Sequence, residues 1–552
     1  MGPPVARATS AIGLALLALI WLTEGWFTNI VFTWGVTAAI AAFVLILSRR
    51  PLFSVTCTAV LVVLINGTSW AKQQTLGMML HAYDLFFYVT SWATVSYLWQ
   101  GARLHVLLFA SALIVSTVAA WAAWRAEPAH VSRRRAVVGF VVAVLVAIGA
   151  AATNSERPQM RFYWKSHFVS AFYSSWVETM QALLQGQLIQ AAQSAGLPPL
   201  AAMGRCEPSP KPPHIVLIHQ ESIVQPSLFK GLTYDRGVDP FFRSHDGELH
   251  RMRVETYGGA SWLSEFSILA GLSTHAFGGM RDFVQAFLAG KVHDTVPEVL
   301  ARCGYRNVVF YPMQRNFVSN SRFYNAIGLK EVFDQKAQGA PSTIERDAFY
   351  YGNALKEIGR HVSRSEQPMF VYIQTMSAHW PYTFKYAPEM DVPGGGPDAT
   401  PEMHEYLRRL TLATRDYDAF VADLEKRFPG ERFLVMHYGD HQPLATRSLI
   451  GKATYDNPED MALGPLSLGY ITYFAVNGIN VTPPPLPKVR TLDVPYLGTV
   501  LLQQAGLPLP PSYRARMALL EQCEGRYQTC PRQNNILAFH RRLIDAGLLI
   551  SR

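Results

Sequence analysis

At 552 residues, 49% of them hydrophobic and 16% charged, the chain is too long for one ordinary domain. Its net charge of +9 is modest for this length, and no Lys/Arg stripe interleaved with base-stacking aromatics occurs, which argues against nucleic acid as a partner. Five cysteines are too few for a disulfide scaffold, and none stands in a CxxC or Cys/His zinc-ribbon spacing.

Apolar runs crowd the first third. Residues 8–22, 31–47, 52–65, 104–124 and 136–152 are nearly free of charge, and several reach the roughly 17–25 residues that a membrane-spanning helix needs. The first is short enough for a signal-peptide core, yet no small-residue cleavage site precedes the next run, so it reads as a retained helix. The stretch from Met78 to Trp99 is aromatic but carries His81 and Asp84. With five spans, Arg7, the pair Arg49 and Arg50, and the group Arg125, Arg133, Arg134 and Arg135 all lie on one side; a sixth span would put the last group opposite. The sequence therefore predicts a five-span transmembrane domain over residues 1–153. Its N-terminus is cytoplasmic, in the inner membrane of a bacterium, and everything after Ala152 lies on the outer, periplasmic face. Asn66 to Arg103 becomes an outer loop in which Lys72, His81 and Asp84 are candidates for contact with lipid headgroups, a packing loop between helices being the equal alternative.

Residues 154–213 read as a juxtamembrane amphipathic connector, closed by a Pro-rich break at 208–213. From His214 to the end, residues 214–552, short apolar runs alternate with helix-like stretches. His214 to His219, Arg306 to Tyr311, Met369 to Thr375 and Phe433 to Tyr438 are buried-strand signals, and a further strand is expected over Arg251 to Tyr257. This alternation predicts an α/β domain with a mostly parallel central sheet. Cys523 and Cys530 are close enough in sequence to pair, and Cys206 and Cys303 would share their oxidising compartment.

Open α/β sheets hold ligands outside the carboxyl ends of their strands, and polar residues follow each run at that end. Glu221, His379, Asp440 and His441 would converge there, with Arg315, Asn320 and Arg322 after the second run. The turn Gly258-Gly259-Ala260-Ser261 would join them. Trp262, Phe266 and Leu269 then recur on one helical face, with Gly271 as the stop and Ser261 as the N-cap. A hydroxyl there lies near the positive end of the helix dipole, which favours a developing anion. Two carboxylates and an imidazole (Glu221, Asp440, His441) suit one divalent metal, with Mn²⁺ favoured and Zn²⁺ or Mg²⁺ as alternatives. With Ser261 as a further ligand, that metal would lower the pKa of the hydroxyl and make it a nucleophile for phosphoryl transfer through a covalent intermediate.

The ordered set Ile-His-Gln-Glu-Ser at 218–222, Gly-Gly-Ala-Ser-Trp-Leu-Ser-Glu-Phe at 258–266, Met-Ser-Ala-His-Trp-Pro-Tyr at 376–382 and Tyr-Gly-Asp-His-Gln-Pro at 438–443 resembles the alkaline-phosphatase/sulfatase superfamily. Within it the chain is most similar to the membrane-anchored lipoteichoic acid synthase-like branch, which includes phosphoglycerol transferases acting on periplasmic glucans. The resemblance implies metal ligands at Glu221, Asp440 and His441, a substrate-binding His379, and Ser261 where that branch usually has a threonine nucleophile. The family's Trp-x-Arg phosphate-binding motif would fall near Val318 to Asn320 and is missing, so Arg315 or Arg322 is expected in its place; Trp262 and Asn320 complete the expected substrate-binding set. It further implies a phosphatidylglycerol donor and an envelope-glycan acceptor. Phosphatidylethanolamine, a phosphodiester or sulfate-ester hydrolase, and an inactive glycan-binding membrane module are the alternatives. A sulfatase proper would need a C/S-x-P-x-R context, which Ser261-Trp-Leu-Ser-Glu lacks.

Overall fold

The computed structural model describes residues 3–76, 79–88, 95, 98, 99, 103–153, 168–185, 189–194, 196–201, 206–208, 210–315, 317–395, 400–450 and 466–550. They fall into two units, one running to Gln185 and the other beginning at Gly186.

The first unit is helical: α1 (Pro3–Thr23), α2 (Phe27–Ser48), α3 (Pro51–Leu76), α4 (Ala82–Phe87), α5 (Arg103–Ala126), α6 (Arg133–Thr153) and α7 (Phe168–Gln185). Five of these, α1, α2, α3, α5 and α6, are long and apolar enough to cross a membrane. Arg49 in the left-handed region, φ 60°, ends α2, and Pro51 opens α3 at a position where its missing N–H costs nothing. A Cβ on Gly35 of α2 would lie 2.8 Å from the backbone nitrogen of Ala147 on α6, so the two helices meet through small residues.

Two expectations change here. Lys72 binds both carboxylate oxygens of Asp84, at 2.8 and 2.7 Å, and the Met79 carbonyl at 3.0 Å. His81 is buried, accepts the Tyr83 N–H at 3.0 Å and gives its own N–H to Asp84 at 2.6 Å, capping α4. These three groups satisfy one another inside the helical unit, which corrects their assignment to the lipid interface. Residues 78, 89–94, 96 and 97 of the Met78 to Trp99 stretch lie outside the described residues. The connector is also not one piece. Val169, Phe172 and Tyr173 of α7 pack with Leu16, Ile20, Val62 and Ile65, and Glu24 accepts the Val169 and Ser170 N–H groups at 2.9 and 3.1 Å. α7 is thus part of the bundle, while residues 154–167, 186–188, 195, 202–205 and 209 of the predicted connector lie outside the described residues.

The second unit is built on eight strands in the order β10-β3-β9-β8-β1-β6-β4-β5. These are β1 (His214–Gln220), β3 (His250–Arg253), β4 (Arg306–Phe310), β5 (Glu331–Phe333), β6 (Met369–Gln374), β8 (Phe433–Gly439), β9 (Ile471–Ile479) and β10 (Leu492–Asp493); β2 (Thr233–Tyr234) and β7 (Gly394–Gly395) form a separate antiparallel pair. β1, β6 and β8 are buried along their whole length, which is why they read as continuous apolar runs. Only β9 runs against the rest, pairing antiparallel with both β3 and β8. The register sets Gln220 beside Gly439, so the next residues, Glu221 and Asp440, leave the sheet as neighbours. Disulfides join Cys206 to Cys303 and Cys523 to Cys530.

Candidate active site

β1 ends at Gln220, Glu221 follows it, and the chain then turns sharply back through Ser222, which adopts φ 59°. That conformation is costly for a residue with a side chain and is held here by two bonds. The Ser222 N–H donates to Asp440 Oδ1 at 2.7 Å, and its hydroxyl donates to Glu221 Oε1 at 2.8 Å. The returning chain passes directly over β8, where a Cβ on Gly439 would sit 1.9 Å from the Ile223 carbonyl oxygen. Glycine at 439 is therefore what lets Glu221 and Asp440 approach.

The Gly258 to Ala260 turn approaches from β3. Gly258 and Ala260 have φ 72° and 62°, Gly259 φ 157°, and Gly258 presses against Leu444. Ser261 is the first residue of α8 (Ser261–Ala270), not its N-cap; Ala260 occupies the cap and offers no side-chain bond. Gly271 ends the helix as expected, its N–H bonding the Ser267 carbonyl. α8 is pinned from below: Ser264 donates to the Asp440 carbonyl at 2.6 Å, and the buried Glu265 carboxylate takes bonds from Tyr324, from Gln374 at 2.6 Å and from Gln285 at 2.7 Å. Burial pushes the Glu265 carboxyl above its ordinary range in spite of those donors.

These elements bring four expected residues together. The Ser261 hydroxyl donates to Glu221 Oε2 at 2.9 Å and lies 3.3 Å from His441 Nε2. His441 Nε2 is 3.2 Å from Asp440 Oδ2 and 3.5 Å from Glu221 Oε1. A fifth residue joins them. His219, on β1, places Nε2 3.1 Å from Asp440 Oδ2, and its Nδ1 contacts the hydroxyls of Tyr438 and Tyr372 at 2.8 and 3.2 Å. His219 Nε2 and Asp440 Oδ2 are buried, and neither has a well-directed hydrogen bond. Buried polar atoms that meet this closely without a well-directed bond suit a site that a further group would complete. His219, Glu221 and Asp440 can each offer one atom, all within 4.8 Å of one another, which suits a divalent cation. Burial would raise the Asp440 carboxyl, but the His441 and His219 rings outweigh it and hold it below the usual carboxylate range. Burial would lower His219, and the Asp440 and Glu221 carboxylates turn that into a rise. His219 is obscured in the sequence because it stands within an apolar strand; its position two residues before Glu221 is the available signal.

The substrate-binding set is less gathered. His379 is half-buried after β6, and among the described residues its ring bonds to none of Glu221, Ser261, Asp440 and His441. Its loop is held by Arg409, fully buried, which donates to the carbonyls of His379 at 2.7 Å and of Pro381 and Phe384 at 3.0 Å while pairing with Glu405. Arg409 lies mid-helix, far from any motif, and nothing in its sequence context marked it. Trp262 is buried and gives its indole N–H to the Asp282 carbonyl at 3.0 Å, so its side chain has no donor left for a substrate. Asn320 is buried with Oδ1 unpartnered, and Arg315 and Arg322 are exposed.

Residues 248–466 match the Sulfatase family. An uncharacterized protein of Haemophilus influenzae is 24% identical over 329 residues, covering 57% of this chain and 55% of that protein. A lipoteichoic acid synthase of Staphylococcus saprophyticus is 23% identical over 242 residues, covering 42% of this chain and 36% of that one. The match thus spans about half or less of these curated relatives. Among solved structures, the integral membrane lipooligosaccharide phosphoethanolamine transferase A of Neisseria meningitidis superposes with a TM-score of 0.50 at 12% identity, over 89% of this chain and 95% of that one, a likeness of fold.

Proposed function

From the match of residues 248–466 to the Sulfatase family, we propose that this chain is a membrane-anchored, metal-dependent transferase. It moves a phospho-alcohol headgroup from a membrane phospholipid, phosphatidylglycerol first, to an envelope glycan. The observation that carries this reading is the Ser261 hydroxyl at the start of α8, bonded to Glu221 and flanked by His441 beside the buried His219 and Asp440 pair. Membrane anchoring suits a donor that arrives by lateral diffusion. The disulfides of the second unit suit an oxidising compartment and hence the outer face of the cytoplasmic membrane.

Glu221, Asp440, His441 and His219 would hold the divalent metal, whose chemistry when bound is to favour the ionised hydroxyl and neutralise phosphoryl charge. Glu221 accepts the Ser261 proton's hydrogen bond and orients the oxygen. Ser261 attacks phosphorus, the bond from phosphorus to the diacylglycerol oxygen breaks, and the displaced proton leaves on diacylglycerol. The opening of α8 puts the positive end of the helix dipole beside Ser261, which favours the developing negative charge. His379, on the loop that Arg409 fixes, holds the phosphoryl oxygens. An acceptor hydroxyl then attacks phospho-Ser261, and its proton returns to the serine oxygen.

Full-length protein in detergent, given headgroup-labelled phosphatidylglycerol or phosphatidylethanolamine with Mn²⁺, tests this. Metal-dependent diacylglycerol release from one of the two, absent from Ser261→Ala, is expected. Absence of release from both would sink the reading, and faster release from phosphatidylethanolamine would reassign the donor.

A further inference from the structure

On the β10 edge of the sheet, away from the Ser261 cluster, lies a cavity of about 1080 Å³. Five cations, Arg251, Arg253, Lys488, Arg490 and Arg526, line it against two carboxylates, Glu521 and Glu524. Arg526 is paired with Glu524 at 3.0 Å, and Arg253 with Asp493 at 2.7 Å. Arg251, Lys488 and Arg490 are exposed and make no ion pair among the described residues. Set against the one unpaired lining carboxylate, Glu521, these three cations leave a net positive charge that focuses a positive potential into the concavity.

Two further atoms narrow the ligand. Arg253 Nε and Gln503 Oε1, both on the lining, are buried and have no hydrogen-bond partner. The first can only donate and the second can only accept. Inorganic phosphate satisfies the guanidinium but brings little O–H for the amide oxygen; a neutral sugar brings the hydroxyl but leaves the cations unpaired. A molecule carrying both a phosphate ester and hydroxyls satisfies all of them.

The cavity also touches the catalytic machinery through one layer of backbone. The carbonyls of Leu468 and Ile471, two of its lining residues, each accept a bond from Gln442 at 2.7 Å. Gln442 follows His441, and its own carbonyl takes the Gly258 N–H at 3.0 Å. Arg253, for its part, ends β3 just before the turn to Ser261.

We infer that this cavity is an acceptor subsite for a phosphate-bearing sugar or polyol segment, so that the enzyme engages glycan that already carries phosphoryl groups. The inference rests on the transferase reading. The shared chemistry is a hydroxylated phosphate ester, and polymer-bound and free forms are separate arms of the test. Calorimetry on full-length Ser261→Ala protein in detergent, with no metal added, reads binding without turnover, so failure here leaves the transferase assignment intact. Phosphorylated dextran is expected to bind at least tenfold more tightly than neutral dextran or inorganic phosphate, with glucose 6-phosphate between them. Raising the salt should weaken binding, and R251Q/K488Q/R490Q should lose at least tenfold in affinity and much of the salt dependence. Arg364→Gln, at a distant exposed cation, should bind unchanged. Circular dichroism and thermal melts of the triple variant establish its folding; if it fails to fold, Lys488→Gln and Arg490→Gln read singly. Equal binding by the glutamine variants, inorganic phosphate matching phosphorylated dextran, no binding by the parent, or binding to phosphatidylglycerol vesicles alone would each overturn the inference.

Discussion

Gly439→Ala probes how tightly the backbone sets the site. The new methyl would fall 1.9 Å from the Ile223 carbonyl oxygen and 3.3 Å from Thr472 Cβ. Carbon and oxygen in contact normally lie about 3.3 Å apart, so β8 and the returning chain must separate by about 1.4 Å. Neither side of the clash is a flexible side chain, and Gly439 and Ile223 flank Asp440 and Glu221. Overpacking of this kind costs about 1–3 kcal/mol of stability. The site suffers more, because metal-ligand distances tolerate only about ±0.2 Å, and a 1 Å displacement lowers a rate by about 10²-fold. Thermal melts with and without Mn²⁺, together with diacylglycerol release, separate the two losses. The variant should melt lower, lose most of the metal-induced rise in Tm and turn over about 100-fold more slowly. Gly352→Ala is the control: nothing lies within 4 Å of its Cβ on a half-buried helical turn, and it should gain about 0.5–1 kcal/mol. If Gly439→Ala kept the full metal-induced rise and a rate within twofold of the parent, the claim that backbone contact sets this pair would be refuted.

Other variants test other parts. His219→Gln keeps much of the size but moves the candidate ligand atom, and metal affinity measured by titration should fall about 10–100-fold; unchanged affinity would leave His219 a core residue. The Asp347 carboxyl, pushed up to about 7 by burial, accepts the Met376 and Ser377 N–H groups at the base of the His379 loop. It stays protonated in the fold where the unfolded chain has ionised, so its contribution to stability is complete below about pH 4 and lost as pH rises through about 7. Asp347→Asn should remove that part of the pH dependence, with calorimetric melts at pH 5 and pH 8 moving closer together; identical slopes in both proteins would contradict it. Arg409→Lys keeps the charge but cannot bond three carbonyls and Glu405 together, and it should raise KM for the lipid with a smaller effect on kcat.

The strands that carry the chemistry were legible because both faces of β1, β4, β6 and β8 are covered, which writes them as unbroken apolar runs. Glu221, Asp440 and His441 were legible because each follows such a run. β9 went unread, and β5 and β10 are too short to leave a pattern. The single-residue shift at Ser261 has a local cause: the chain enters α8 through positive φ at Gly258, Gly259 and Ala260, so the hydroxyl is freed from capping and turned toward Glu221. Lys72, His81 and Asp84 misled because polar residues in an aromatic stretch look alike whether they face headgroups or each other; only folding brings Lys72 onto Asp84. Trp262 and Arg409 belong to the same class, their partners Asp282 and the His379 loop being set by tertiary contact.

The central claim is that Ser261 carries the phosphoryl group. Rapid acid quench of the full-length protein during turnover of the preferred lipid, followed by peptide mass spectrometry, reads it directly. The account requires a phospho-alcohol adduct on the peptide holding Ser261, formed only with divalent metal and absent from Ser261→Ala. Turnover that persists in Ser261→Ala, with no adduct on that peptide in the parent, would contradict it.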